Sequence, residues 1–161
     1  MEEQLGAVIH AQGDKWLEDF EVGAIRRTAG RTITETDVVN FAGLSGDFNS
    51  MHVDAEFAKT SPFGQRVVYG LLVISISFGL LVQSGTVQGV QGGFKEIKNW
   101  KFMKPVFIGD TIYVEYQISE RREMPRAGGG LIVLEQRIKN QHDETVMKGK
   151  WTAFILSKPT A

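Results

Sequence analysis

From Val67 to Val82 the chain carries no charge, and Val68, Leu71, Leu72, Ile74, Ile76, Phe78, Leu80, Leu81 and Val82 leave no polar face on a helical wheel. That pattern predicts a long helix enclosed on nearly every side. At sixteen residues, interrupted by Ser75, Ser77 and Gly79, it falls short of the roughly 18 apolar residues a membrane span needs. Beyond Gly85 the period changes to two. Ile112, Val114, Tyr116 and Ile118 alternate with Thr111, Tyr113, Glu115 and Gln117, and further strands are predicted over Gly92–Phe102, Leu131–Ile138 and Val146–Leu156. The Pro125–Gly130 loop and the polar turn Asn140–Glu144 divide them.

Upstream, Ala24–Thr32 reads as a strand. Thr34-Glu-Thr-Asp37 then supplies a helix start, with Val38, Phe41 and Ala42 as its buried stripe. Gly43, Ser45 and Gly46 are expected to break that helix, and an ordered loop or an irregular turn to run on to Asp54, which caps a short helix over Ala55–Lys59. Residues 1–18 are weakly periodic and read as a mobile or loosely docked arm, 19–157 as one domain and 158–161 as a tail. There is no internal repeat, low-complexity segment or interdomain linker. The predicted fold class is α+β: an antiparallel sheet of about five strands wrapped around a long central helix. Its open face and edge point to a homodimer.

Composition narrows the function. With 161 residues, 42% hydrophobic and 23% charged, the chain is an ordinary globular domain. Eighteen basic against nineteen acidic residues give a net charge of −1, so no overall field draws nucleic acid or an anionic membrane. The absence of cysteine excludes a disulfide, a thiolate nucleophile and a cysteine-ligated metal. The start, Met-Glu-Glu-Gln, lacks the basic segment and apolar run of a secretory signal, and a cytoplasmic protein whose mature chain begins there is expected.

Three histidines are present, His10, His52 and His142. His10 falls in the arm and His142 in a hairpin turn, where solvent exposure is expected. His52 belongs to the densest polar constellation, Leu44-Ser-Gly-Asp-Phe-Asn-Ser-Met-His-Val-Asp54. Asp47 and His52 there could serve as base and acid, with Phe48, Met51 and Val53 lowering the local dielectric. The residue types alone also fit an Asx-turn at Asp47 and a structural histidine. Gly128-Gly-Gly130 lacks the strand, helix and Lys-Ser/Thr of a phosphate loop.

The segment Phe41-Ala-Gly-Leu-Ser-Gly-Asp-Phe-Asn-Ser-Met-His-Val-Asp-Ala-Glu-Phe-Ala58 resembles the signature of the MaoC-like dehydratases and (R)-specific enoyl-CoA hydratases, proteins of the hot-dog fold. Asp19-Phe-Glu-Val-Gly23, Thr32–Asp37, Tyr69-Gly70-Leu71-Leu72 and Pro105–Thr111 are similar to other segments of that family, in the same order. The resemblance implies reversible addition of water to trans-2-enoyl-CoA thioesters, with no cofactor and no metal beyond the coenzyme A of the substrate. It implies that Asp47 and His52 form the acid–base dyad and that the Gly70 N–H holds the thioester oxygen, with Asn49 supporting and Met51, Phe48 and Tyr69 near the acyl pocket.

Some positions depart from the family. Ser50 stands where the family usually has proline, Tyr69 where many members have histidine, and Phe78 where some carry an active-site serine; Ser75 and Ser77 are near but not equivalent. Tyr69 either shapes the pocket, offers its hydroxyl to substrate, or is a packed aromatic. Arg66, Lys95 and Lys104 are candidates for the coenzyme A phosphates, or else solvated surface charges. A thioesterase and a non-catalytic acyl-CoA-binding protein are the competing readings for the same fold.

Overall fold

The computed structural model describes residues 14–159. Two short strands open the fold, β1 (Arg26–Arg27) and β2 (Arg31–Thr32). Three helices follow, α1 (Glu35–Ser45), α2 (Ser50–Val53) and α3 (Ala55–Thr60), and then the long α4 (Gly70–Gln83). Four long strands complete the chain: β3 (Gly92–Phe102), β4 (Thr111–Met124), β5 (Gly129–Lys139) and β6 (Thr145–Leu156). All pairings between these strands are antiparallel, in the order β1-β4-β5-β6-β3, with β2 also on β4. The sheet curves around α4, which is the expected α+β hot-dog arrangement.

The inward positions of the sheet meet the buried face of α4. Ile112, Val114, Ile118, Ile132, Leu134, Ile138 and Ile155 pack with Leu72, Val73, Ile76, Leu80 and Leu81 in one core. Each fully buried aliphatic side chain of this kind contributes about 1.5–3 kcal/mol. At the β3 edge an aromatic layer closes the gap between helix and sheet. Phe78 lies 4.8 Å from Phe94 and 5.5 Å from Trp151 between ring centroids, and Trp100 lies 5.8 Å from Trp151.

Several boundaries differ from the sequence reading. The expected strand Ala24–Thr32 is split, because Thr28 bonds Val114 twice, through its own N–H at 2.9 Å and by accepting the Val114 N–H on Oγ1 at 3.0 Å. The long helix starts at Gly70, not Val67. Val67 and Val68 are extended: Val67 bridges to Phe107 and the Val68 N–H donates to the Val106 carbonyl at 2.8 Å. β-branched residues favour that conformation. Nor is α4 enclosed all round, since Leu71 is 65% exposed and Ser75 is also open to solvent.

Gly43 lies inside α1, which ends where Gly46 adopts φ 73°, the left-handed cap that glycine tolerates best. Residues 14–18, read from the sequence as part of an arm, are docked. Lys15 exchanges backbone hydrogen bonds with Gly89 and Gln91, and Leu17 and Phe20 enter the core. His10 lies outside the described residues.

Candidate active site

The site forms where α1 ends and α4 begins. Beyond Gly46 the chain would be a free loop, but three local hydrogen bonds order it. The Ser45 hydroxyl accepts the Asp47 N–H at 3.2 Å, the Asp47 carboxylate accepts the Asn49 N–H at 3.1 Å, and the Asn49 side-chain oxygen accepts the Met51 N–H at 3.1 Å. Asn49 thereby caps α2, so the stretch expected as an ordered loop or an irregular turn contains one regular helical turn. That turn carries His52. Asp54 then caps α3 by accepting the Phe57 N–H at 2.9 Å, as expected.

His52 Nδ1 lies 2.7 Å from the Val67 carbonyl oxygen. A carbonyl can only accept, so Nδ1 carries a proton, and the tautomer this contact selects leaves the lone pair on Nε2. The face of the ring rests on Tyr69, with centroids 3.8 Å apart and planes 33° from parallel. Tyr69, 3% exposed, reaches past the histidine and donates its hydroxyl to the Asp47 carbonyl at 2.6 Å. Phe41 of α1 packs on its other side at 5.1 Å. One buried aromatic thus touches both members of the sequence-derived pair. Burial raises its phenol above the ordinary value, and the nearby Asp47 carboxylate pushes in the same direction. The hydroxyl therefore remains a protonated donor at neutral pH.

The residue after Tyr69 is Gly70, the first of α4. Its N–H belongs to the helix terminus that no intrahelical carbonyl can satisfy, and it has no acceptor among the described residues. A β-carbon at this position would lie 2.5 Å from Cε1 of Phe102. The glycine lets that ring come close beside the open N–H.

Other expected residues fall differently. Phe48 is 65% exposed and Val53 also projects to solvent, so neither shields Asp47, as the sequence reading had them do. Met51 is half-buried, and its carbonyl accepts the Val67 N–H. The Tyr69 hydroxyl donates to the Asp47 backbone, and its ring packs between Phe41 and His52. Ser77 is buried and donates to Ile74, and Ser75 donates to Leu71, each within its own helix. Phe78 belongs to the aromatic layer. Arg66 makes a two-pronged pair with Glu35 at 2.8 and 2.5 Å, holding the Glu35 carboxyl below its usual range and raising the guanidinium. Lys104 pairs with Glu144, whereas Lys95 lies over the Phe154 ring at 6.0 Å. His142 is exposed in the β5–β6 turn. Among the described residues no three acidic or histidine side chains gather as a metal site, and no helix is long and apolar enough to cross a membrane.

The pattern described as the MaoC like domain matches residues 19–131. The chain is 44% identical over 141 residues to Protein MaoC of Klebsiella aerogenes, an alignment covering 88% of this chain and 38% of that protein. It is 36% identical over 106 residues to the (R)-specific enoyl-CoA hydratase of Aeromonas caviae, covering 66% of this chain and 76% of that protein. Among solved structures, one titled as a monoamine oxidase regulatory protein from Archaeoglobus fulgius superposes with a TM-score of 0.83 at 35% identity, covering 94% of this chain and all of the other. The chain thus spans well under half of the Klebsiella protein and about three quarters of the Aeromonas one. It belongs to the MaoC-like domain family.

Proposed function

We propose that the protein is an (R)-specific enoyl-CoA hydratase, equally a 3-hydroxyacyl-CoA dehydratase, acting on acyl-CoA thioesters. The observation that carries this reading is the placement of Asp47, His52 and Gly70 around one tyrosine. Tyr69 stacks on the imidazole, bonds the Asp47 backbone, and is followed directly by the open Gly70 N–H.

A carboxylate at Asp47 and the Nε2 of a His52 ring protonated on Nδ1 are both acceptors, and together they can hold the two protons of one water. As the water oxygen bonds to C3, one of them takes its proton, the C2–C3 π pair moves toward the thioester, and C2 then receives that proton. Between these events negative charge sits on the thioester oxygen. A backbone N–H at the positive end of α4 is suited to stabilise it. The (R) hand rests on the resemblance and on the Aeromonas relative. Of the three cations considered for the coenzyme A phosphates, Lys95 alone is not committed to an acid among the described residues.

We place the protein as a homodimer, because β3 is a sheet edge with Phe94 and Ile97 exposed, and Leu71 of α4 and Phe48 beside Asp47 are uncovered. Light scattering should give a mass near twice 17.9 kDa.

The test is loss of the enoyl absorbance of crotonyl-CoA and longer homologues, with the configuration of the product determined. Asp47→Ala and His52→Ala should each lower kcat by about 100- to 10,000-fold. No turnover with any chain length, or full rate in Asp47→Ala, sinks the reading. A second reading, a regulatory acyl-CoA-binding protein without chemistry, draws on the similarity to the Archaeoglobus regulatory protein. Tight acyl-CoA binding without hydration would select it, and release of free thiol would select a thioesterase.

A further inference from the structure

Tyr69 sits buried immediately before α4, and its surroundings give it a definite task. It is buried, yet its one polar atom reaches 22 residues back along the chain to a backbone carbonyl in an exposed turn. Its ring covers one face of His52, while Val67, two residues earlier on the same segment, holds the imidazole Nδ1. The segment Val67–Tyr69 is itself anchored: the Val68 N–H donates to Val106, and Tyr69 is the N-cap residue directly before α4. The imidazole is therefore restrained at two points, by a hydrogen bond along its edge and by contact over its face. The same tyrosine fixes the height of the Asp47 backbone relative to that ring.

We infer that Tyr69 is a positioning residue, which holds the Asp47 turn and the His52 imidazole in one register beside the Gly70 N–H. The inference rests on the hydratase reading for its kinetic consequence, but not for its structural one. α2 is only four residues long and has no buried side chain, far below the length at which a helix sustains itself. Its order must come from contacts such as this. Asp47 is exposed and has only local bonds to Ser45 and Asn49 besides the tyrosine. Without the hydroxyl the turn keeps its own hydrogen bonds but loses its tie to the segment that carries the oxygen-binding N–H.

The experiment compares Tyr69→Phe, which keeps the ring and deletes the hydroxyl, with Tyr69→Leu, which deletes the stacking face as well. Tyr69→Phe should melt as one transition near the parent and lose about tenfold in kcat, with KM within about twofold, because binding is retained and only reactive geometry is lost. Tyr69→Leu should lose about a hundredfold. In nitrogen-15 spectra the parent should show His52 as the Nδ1–H form, with its ring protons shifted upfield by the tyrosine face. Tyr69→Leu should abolish that shift and mix the two tautomers.

Parent-like kcat in Tyr69→Phe together with unchanged His52 resonances in Tyr69→Leu overturns the inference. A tenfold rise in KM at constant kcat overturns it too, since that would make Tyr69 a substrate contact. If the parent hydrates no enoyl-CoA, the proposed function fails, and the His52 resonances still decide whether Tyr69 positions the ring.

Discussion

Asn49 orders the backbone in the way that Tyr69 orders the side chains. Its side-chain oxygen caps α2 at the Met51 N–H, and its carbonyl accepts the His52 N–H at 2.9 Å. Asn49→Ala should weaken that turn by about 1 kcal/mol and lower turnover in the proposed hydratase reaction, though less than loss of Asp47 or His52 is expected to. Asn49→Asp retains an acceptor and should recover most of the rate. The spacing of Asp47, Asn49 and His52 was legible because all three lie within six residues of one another. The partner that joins them was not, since Tyr69 is remote in sequence and an aromatic before an apolar helix looks like core. Phe48 and Val53 misled for the converse reason: apolar side chains beside a charged group read as shielding, and here they face water.

At the scale of elements, the clearest local signal is the start of α1. Thr34 Oγ1 accepts the Asp37 N–H at 3.3 Å, and the Asp37 carboxylate accepts the Thr34 N–H at 2.8 Å, which makes the expected helix start a reciprocal box. Burial raises the Asp37 pKa, but bonds from the Thr34 backbone and hydroxyl and the charge of Arg31 outweigh it, so the carboxyl sits below its ordinary 3.8. A depressed folded-state pKa stabilises the fold fully above the unfolded value, and that contribution is lost as pH falls through the lower folded one. Thr34→Ala should therefore cost about 1 kcal/mol near neutrality. Denaturant midpoints should show this difference shrinking as the pH is taken below about 4.

The capped starts of α1 and α3 were legible. The start of α4 was not, because Tyr69 contributes no side-chain cap and Val67 and Val68 are as apolar as the helix they precede. The strands of the second half were legible from alternation, whereas β1 and β2 are too short to show a period and are divided by the hydroxyl of Thr28.

In the molecule as a whole, the core between α4 and the sheet holds one polar side chain that nothing in its pattern announces. Gln136 is buried on β5, and both atoms of its amide lack partners among the described residues, as do the indole N–H groups of Trp100 and Trp151. An unpaired buried amide costs about 1–3 kcal/mol, so Gln136→Met should raise Tm by several degrees, at about 2–4 °C per kcal/mol for a chain of this size. A calorimetric scan would show it, and a fall in Tm would mean that the amide has a partner. The sheet and α4 share that continuous interior, whereas α2 buries no side chain of its own. The two parts should therefore yield to heat at different points. Turnover should fade reversibly at temperatures where the fluorescence of Trp100 and Trp151 is still native, so that the protein becomes a dormant scaffold before it becomes an unfolded chain.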